Sequence, residues 1–456
     1  MSLGGAVHQK PGEPGRNAGG RGEAEPEAVR DEARTARHET GSPGREDLLG
    51  QVLAKANMEA AWKRVKSNRG SAGADGLSIA ETAEYLRAHW PRIRASILDG
   101  SYRPMPVRRV QIPKPDGGVR ELGIPTVTDR LIQQALLQVL QRRIDPTFSD
   151  HSYGFRPGRR AHDAVLDAQR YVQDGYRVVV DVDLEKFFDR VNHDILMERL
   201  ARRIDDKAVL RLIRRYLVAG IMDGGVVMER FEGTPQGGPL SPLLANVLLD
   251  EVDRELERRG HRFVRYADDC NVYLRSRRAG ERVLVGLTKL YDRLHLKVND
   301  AKTAVAPASR RKFLGYAFWY GSGGQVKCRV ADKALKTFKQ RIRQLTRRSG
   351  GRNLSEIAER LRAYMPGWKA YFQLAQTPKV FRELDEWIRH RLRAVQLKHW
   401  RRGATMYREL KAMGASETDA RKVAANSRRW WRNSRFLLNR AMPVAYFDRL
   451  GVPRLS

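Results

Sequence analysis

The stretch Arg265-Tyr266-Ala267-Asp268-Asp269-Cys270 sets two adjacent carboxylates between two strand-forming runs, His261 to Tyr266 and Asn271 to Leu274. β-Branched and aromatic side chains suit a pleated, half-buried surface, and Phe263, Val264, Tyr266, Val272 and Tyr273 supply them. Aspartate is a common turn residue, so a β-hairpin with Asp268 and Asp269 at its tip is expected. Taken alone, such a pair is ordinarily a solvated turn. A second stretch changes its weight. Val178-Val179-Val180-Asp181-Val182-Asp183-Leu184-Glu185-Lys186-Phe187-Phe188-Asp189 begins as a valine run and then alternates aspartate with apolar residues. Period-two alternation puts both aspartates on one face of a strand. A buried strand has no structural use for unpaired carboxylates, because desolvating them is costly, and a bound cation removes that cost.

Charge narrows the partner. With 86 basic and 53 acidic residues the formal net charge is +33, which predicts a polyanion, either nucleic acid or an anionic membrane surface. A membrane partner is disfavoured, since no run of about 18 apolar residues and no lipidation signal occurs. No apolar stretch follows a basic N-terminus, so no secretory signal is evident. Cys270 and Cys328 form at most one disulfide and cannot alone build a zinc finger, which fits a reducing, cytoplasmic setting. Met1 to Arg45 holds seven basic and seven acidic residues, is rich in Gly, Pro, Ala and Glu, and has almost no large apolar side chains. Such a composition cannot offset its ordering entropy, so residues 1–45 are expected to be a disordered leader. From Ala331 onward, 30 basic residues face 10 acidic ones.

Between these ends the chain alternates helical patterns with glycine-rich turns. Helices are expected from near Glu46 through Val65, over Ile79 to Leu98, and over Thr128 to Arg143. Val107 to Ile124 reads as two strands joined by Pro115-Asp116-Gly117-Gly118, flanked by Lys114 and Arg120. These two cations either approach one anion from both strands or are simply solvated. His151-Ser152-Tyr153-Gly154-Phe155-Arg156-Pro157-Gly158-Arg159-Arg160 mixes aromatics with arginines, as phosphate-contacting and stacking loops do, though a generic basic loop has the same composition. Gly233-Thr234-Pro235-Gln236-Gly237-Gly238-Pro239-Leu240-Ser241-Pro242 opens a helix and is either a tight connection or a loop over which a nucleotide lies close to backbone.

The carboxylates suggest a chemistry. Phosphoryl transfer to a growing strand uses two divalent ions about 3.5–4 Å apart. Magnesium prefers hard oxygen ligands and keeps several waters, so a few carboxylates on neighbouring strands suffice. Asp183 on the strand, with Asp268 and Asp269 on the hairpin, can supply them.

In this order the blocks resemble a reverse transcriptase, and more narrowly the reverse transcriptase–maturase encoded by bacterial group II introns. Ser152-Tyr153-Gly154-Phe155-Arg156-Pro157-Gly158, Thr234-Pro235-Gln236-Gly237, Tyr266-Ala267-Asp268-Asp269 and Lys312-Phe313-Leu314-Gly315 carry the resemblance. It implies an α+β right-hand polymerase, with fingers and palm over 46–330, a helical thumb or maturase domain over 331–402, and a basic segment over 403–456 that either contacts DNA or is simply the family tail. It also implies that Asp183, Asp268 and Asp269 hold two Mg2+ ions. Asp183 is preferred to Asp181 because the family places an aromatic pair four and five residues after its carboxylate, matching Phe187 and Phe188. Phe188 then resembles a steric gate against a ribose 2′-hydroxyl and favours dNTPs over NTPs. Gln236 against the incoming nucleotide, Lys114 and Arg120 on its triphosphate, and Lys302 near the primer or nucleotide rest on the same resemblance.

Nucleic-acid contacts are expected at Arg156, Arg159, Arg160, Arg389, Arg393, Lys398, Arg401, Arg428 and Arg429, the C-terminal ones suiting a long structured RNA. The implied partners are a group II intron RNA, a primer with its DNA target, and dNTPs. The zinc-bound nuclease that some relatives append has no counterpart, so no endonuclease activity is expected. The alternatives are a reverse transcriptase of another lineage, disfavoured by the long basic, aromatic-rich C-terminal part, a non-enzymatic RNA-binding cofactor, disfavoured by the intact aspartates, and an RNA polymerase, disfavoured by Phe188.

Overall fold

In the computed structural model of the chain, residues 47–113, 118–223, 226–228, 232–234, 237–435 and 438–456 are described. The expected leader, Lys114 and Gln236 lie outside the described residues. The chain divides into two units, and strands and helices are mixed in an α+β arrangement.

The first unit comprises the described residues up to Phe148, with Phe155–Arg159 and Phe188–Leu248. Its central helix, Val127–Ile144, starts where the Thr126 hydroxyl accepts from Asp129 N. Leu131, Ile132, Ala135, Leu136 and Leu140 along it are buried, the apolar stripe visible in the sequence. Helix Lys55–Ser67 packs on it, and the Asn57 amide donates to the Ala135 carbonyl. Helix Ile79–Leu98 is fixed at its start by reciprocal bonds between Ser78 and Glu81, the arrangement that satisfies orphan amides at a helix N-terminus. The expected hairpin forms from strands Val107–Pro113 and Val119–Ile124, in a four-stranded sheet completed by Ile221–Asp223 and Val226–Met228.

The second unit comprises Ser149–Gly154, Arg160–Phe187 and Leu249–Ser456. Its main sheet runs in the order Arg262–Tyr266, Asp269–Leu274, Val178–Val182, Ala304–Pro307, antiparallel throughout. The valine run is therefore an inner strand with both edges paired. Val178, Val180 and Val182 share one face, on which helix Arg277–Arg293 lies so close that a Cβ on Gly280 would stand 2.5 Å from Val305 Cγ1. On the opposite face Val179 and Tyr273 join a core with Ala164, Val165 and Ala168 of helix Ala161–Gln173. Asp181 falls on that second face, further along the strand.

Arg265 occupies the interior of this unit with a fully buried guanidinium. Its Nε donates to both oxygens of the equally buried Asp253, at 2.8 and 3.0 Å, and Nη2 reaches Asp253 Oδ2 at 2.5 Å. Nη1 donates to the Ala267 carbonyl at 2.9 Å, and Nη2 to Ser152 Oγ at 2.8 Å. One side chain thus joins the helix Ser241–Arg258, the hairpin turn and the Ser152-Tyr153-Gly154 segment.

Beyond a smaller sheet of Lys312–Phe313, Tyr316–Tyr320 and Val326–Val330, the chain is helical, as its pattern predicts. The expected division at residue 402 is not a packing boundary. Phe338, Ile342, Ile388 and Leu392 share one apolar core with Met406, Leu410, Phe447 and Leu455. The buried Asp385 carboxylate also accepts from the backbone amides of Leu455 and Ser456 at 2.9–3.1 Å. Basic residues hid this join, because the apolar positions between them continue across it. Among the described residues no helix is long and apolar enough to cross a membrane. Both cysteines are free and buried.

Removing one partner of a buried ion pair strands the other charge, at a cost of about 3–5 kcal/mol, whereas apolar replacement of both is far milder. Chemical denaturation should therefore show Arg265→Met and Asp253→Leu each destabilising by about that amount, with the double variant more stable than either.

Candidate active site

The hairpin is built as its residues predict, with a sharper turn. Tyr266 pairs with Asp269, leaving Ala267 and Asp268 as a two-residue loop. Ala267 adopts φ +58°, a left-handed backbone that costs a residue with a Cβ about 1 kcal/mol or more. Neighbouring chain holds it there. Tyr153 N donates to the Arg265 carbonyl at 2.8 Å and Arg265 N to that of His151 at 2.9 Å, so Ser152-Tyr153-Gly154 lies beside the hairpin like an added strand. A Cβ on Gly154 would stand 2.2 Å from Ala267 N, so only glycine fits beneath the turn. The Ser152–Gly154 motif thus braces the carboxylate hairpin.

The strand register pairs Asp181 with Asn271 and Val182 with Cys270. Continued by one residue, it brings Asp183 opposite Asp269. The backbone of Asp183 is fixed by Asn299 N, which donates to its carbonyl at 2.8 Å, and by Thr303 Oγ1, which accepts from its amide at 3.2 Å. The Lys302 ammonium stands 3.4 Å from Asp183 Oδ1. Asp181, on the same face, is engaged differently: Arg311 Nε donates to its Oδ2 at 2.8 Å. Asp183, Asp268, Asp269 and Lys302 are therefore gathered at one end of the sheet.

The electrostatics register the crowding. Asp269 reaches solvent at the strand end, yet its carboxyl pKa is raised to about 7, first by desolvation among the surrounding protein and then by the charges of Asp268, Asp181 and Asp183. Among the described residues no three carboxylate, imidazole or thiol side chains close around one point as a ready-made cage. The donor chemistry nevertheless fits a hard divalent ion that retains several waters: clustered carboxylate oxygens whose mutual repulsion such an ion would relieve.

The remaining expected residues divide between the units. Arg120 lies in the first unit, on the strand opposite Ile112. Phe188 is also there, its carbonyl accepting from Thr234 N at 2.7 Å, so the glycine-rich loop starts against Phe188. A Cβ on Gly233 would stand 2.8 Å from that same carbonyl. Arg159 is half-buried, while Arg160 is exposed and pairs with Asp163.

Three arginines expected on nucleic acid are instead buried. Arg156 pairs with Asp145 at 3.0 Å and covers the Phe148 ring. Arg389 pairs with Asp385 at 3.4 Å and Asp448 at 3.5 Å, and Arg393 donates to the Met442 carbonyl at 3.0 Å. Their i,i+4 spacing puts Asp385, Arg389 and Arg393 on one inward stripe of helix Pro378–Trp400, where protein acceptors take the place of phosphate. Arg401, Arg428 and Arg429 are exposed, and Lys398 sits over the Trp430 ring. Sequence reading missed Arg265, Arg311 and Asn271. An arginine inside a strand of otherwise buried residues was the available signal for the first.

A carboxyl held at about 7, above its ordinary 3.8, is disfavoured when ionised in the folded state. Its destabilising effect is full above that raised value and disappears below the ordinary one. In chelator-treated protein, Asp269→Asn should raise the thermal midpoint at pH 8, with the gain shrinking as pH falls through 7 and nearly gone at pH 4.

Comparison with known proteins gives these elements a context. The family profile for reverse transcriptase (RNA-dependent DNA polymerase) matches residues 112–318, and that for the group II intron, maturase-specific domain matches residues 335–414. Protein YkfC of Escherichia coli K12 is 38% identical over 191 residues, 41% of this chain and 50% of that protein. The group II intron-encoded protein LtrA of Lactococcus lactis subsp. cremoris is 39% identical over 196 residues, 42% of this chain and 32% of LtrA. The putative COX1/OXI3 intron 1 protein of Saccharomyces cerevisiae is 31% identical over 198 residues, 43% of this chain and 24% of that protein. The matched region spans half or less of each of these relatives. The chain is thus similar to group II intron-encoded proteins, with a match to the reverse transcriptase profile followed by a match to the group II intron maturase-specific profile.

Proposed function

We propose that the chain is an RNA-directed DNA polymerase that also binds a group II intron RNA and assists its splicing and mobility. The observation that carries this reading is the juxtaposition of Asp183 with the Asp268-Asp269 hairpin at one end of the sheet, within the matched reverse transcriptase region. Reverse transcriptases work with divalent metal ions; here two Mg2+ ions are assigned to Asp183, Asp268 and Asp269. When bound, they would activate the primer hydroxyl and stabilise the charge on the leaving oxygen.

The chain's own residues do the rest. Arg265 and Gly154 fix the hairpin, so the carboxylates are held in place before substrate arrives, the preorganisation on which electrostatic catalysis depends. Asp269, whose carboxyl pKa is raised to about 7, would hold an ion as the carboxylate, its proton passing to solvent. Phe188 is assigned as the gate against a ribose 2′-hydroxyl, which selects dNTPs. Lys114 and Arg120 are assigned to the triphosphate, Gln236 to the nucleotide and Lys302 to the primer or nucleotide. The exposed cations Arg401, Arg428 and Arg429 are assigned to intron RNA or target DNA, where phosphate neutralisation makes binding salt-sensitive. Two buried thiols and the absence of a membrane-crossing helix among the described residues accord with a cytoplasmic site of action.

Primer extension on an RNA template tests this directly. Asp183→Ala and Asp268→Ala should each lower synthesis by on the order of a hundredfold or more, as loss of a group stabilising transition-state charge does; full synthesis by either would remove the assignment. Phe188→Val should raise NTP use relative to dNTP by on the order of tenfold, the scale of a single-group fit in a pocket.

A further inference from the structure

Asp181 lies in the strand Val178–Val182 and Asp183 one residue past its end, on the same side by period-two alternation, and their surroundings differ. Both Asp181 oxygens are taken by protein donors: Arg311 Nε reaches Oδ2 at 2.8 Å and Nη2 reaches it at 2.6 Å. The Asn271 amide, oriented to donate, reaches Oδ1 at 3.1 Å. Arg311 has a second engagement, with Nη2 donating to the Lys302 carbonyl at 2.8 Å. The Lys302 segment is also tied where Lys302 N donates to the Asn299 carbonyl at 3.1 Å and Asn299 N to that of Asp183 at 2.8 Å. The Lys302 side chain, 63% exposed, then sets its ammonium 3.4 Å from Asp183 Oδ1.

A continuous path therefore leads from Asp181 through Arg311 to the Lys302 backbone, and from the Lys302 ammonium to Asp183. We propose that Asp181 is a positioning residue rather than an ion ligand: through Arg311 it holds Lys302 so that the lysine ammonium competes with a divalent ion for Asp183. This rests on the reading of Asp183 as an ion-holding residue. The tethered ammonium gives the site a cation of its own, which offsets the crowded carboxylates and leaves Asp183 when a divalent ion takes its oxygen. The released ammonium, still anchored by its backbone, is then available to a phosphate nearby. No bond is made or broken in this exchange; one cation replaces another.

The test is ion affinity, read separately from synthesis. Chelator-treated full-length protein is titrated with Mn2+ at pH 8, and free Mn2+ is followed by its electron paramagnetic resonance signal. Lys302→Gln should tighten Mn2+ binding by about threefold, the scale of a partly exposed ion pair. Because Lys302 is at the surface, this variant keeps the fold. Asp181→Asn combined with Arg311→Gln removes one charge of each sign, so net charge is unchanged. It should tighten binding by a similar factor, and adding Lys302→Gln to it should give no further gain. Unchanged or weaker binding in Lys302→Gln would overturn the proposal. So would weaker binding in the charge-balanced pair, the result expected if Asp181 were a ligand, or a further gain in the triple variant. Asp183→Asn is the control: if it leaves Mn2+ binding intact, the ion-holding reading of Asp183 fails, independently of the Lys302 result.

Discussion

A guanidinium without water is the constraint on which the second unit depends. Arg265 is fully buried, and taking its charge out of solvent is tolerable only because Asp253 and two further acceptors meet it. Those acceptors are a helix carboxylate, a turn carbonyl and the hydroxyl of a distant segment. None can move without leaving a charge uncompensated in a low-dielectric interior, where an unpaired polar group costs most. The pair therefore contributes less as net stabilisation than as specification. It permits one position of the hairpin relative to the helix behind it, and so one position for the carboxylates that the hairpin carries.

Around that clamp the site shows how a sheet can collect like charges that no single strand would hold willingly. Asp181 pairs with Arg311, Asp183 is approached by Lys302, and Asp269 keeps a pKa raised first by desolvation and then by the neighbouring carboxylates. The order of these compensations follows distance from the strand centre. Where both edges are paired the carboxylate is locked by protein donors. At the strand end it meets the exposed Lys302 ammonium.

Much of this was legible in the sequence, because it rests on local periodicity. The valine run, the hairpin and the helix Ile79–Leu98 follow from alternation, β-branching and capping residues, and the structure forms them over nearly the expected spans. Alternation could not separate Asp181 from Asp183, since it places both on one face; their partners, Arg311 and Lys302, come from another part of the chain. Composition likewise could not tell an arginine facing solvent from one facing a carboxylate. Arg156, Arg389 and Arg393 read as nucleic-acid contacts because their acceptors, Asp145, Asp448 and the Met442 carbonyl, are adjacent only after folding. The Ser152–Gly154 stretch was visible as a motif, but its use as a brace depends on a contact with Ala267 that no linear pattern encodes.

The core shared by helices on both sides of residue 402 bears on how this part of the chain can change. Phe338 and Ile388 lie in the same apolar cluster as Met406, Leu410 and Phe447, so the two stretches form one cooperative block in the sense of local unfolding. Opening one exposes apolar surface of the other. Surface residues on the two stretches would then draw on a common stability, and selection on either would be felt by both. A terminal segment of this kind cannot be trimmed or exchanged as a cassette. It can only be remodelled together with the helices it covers.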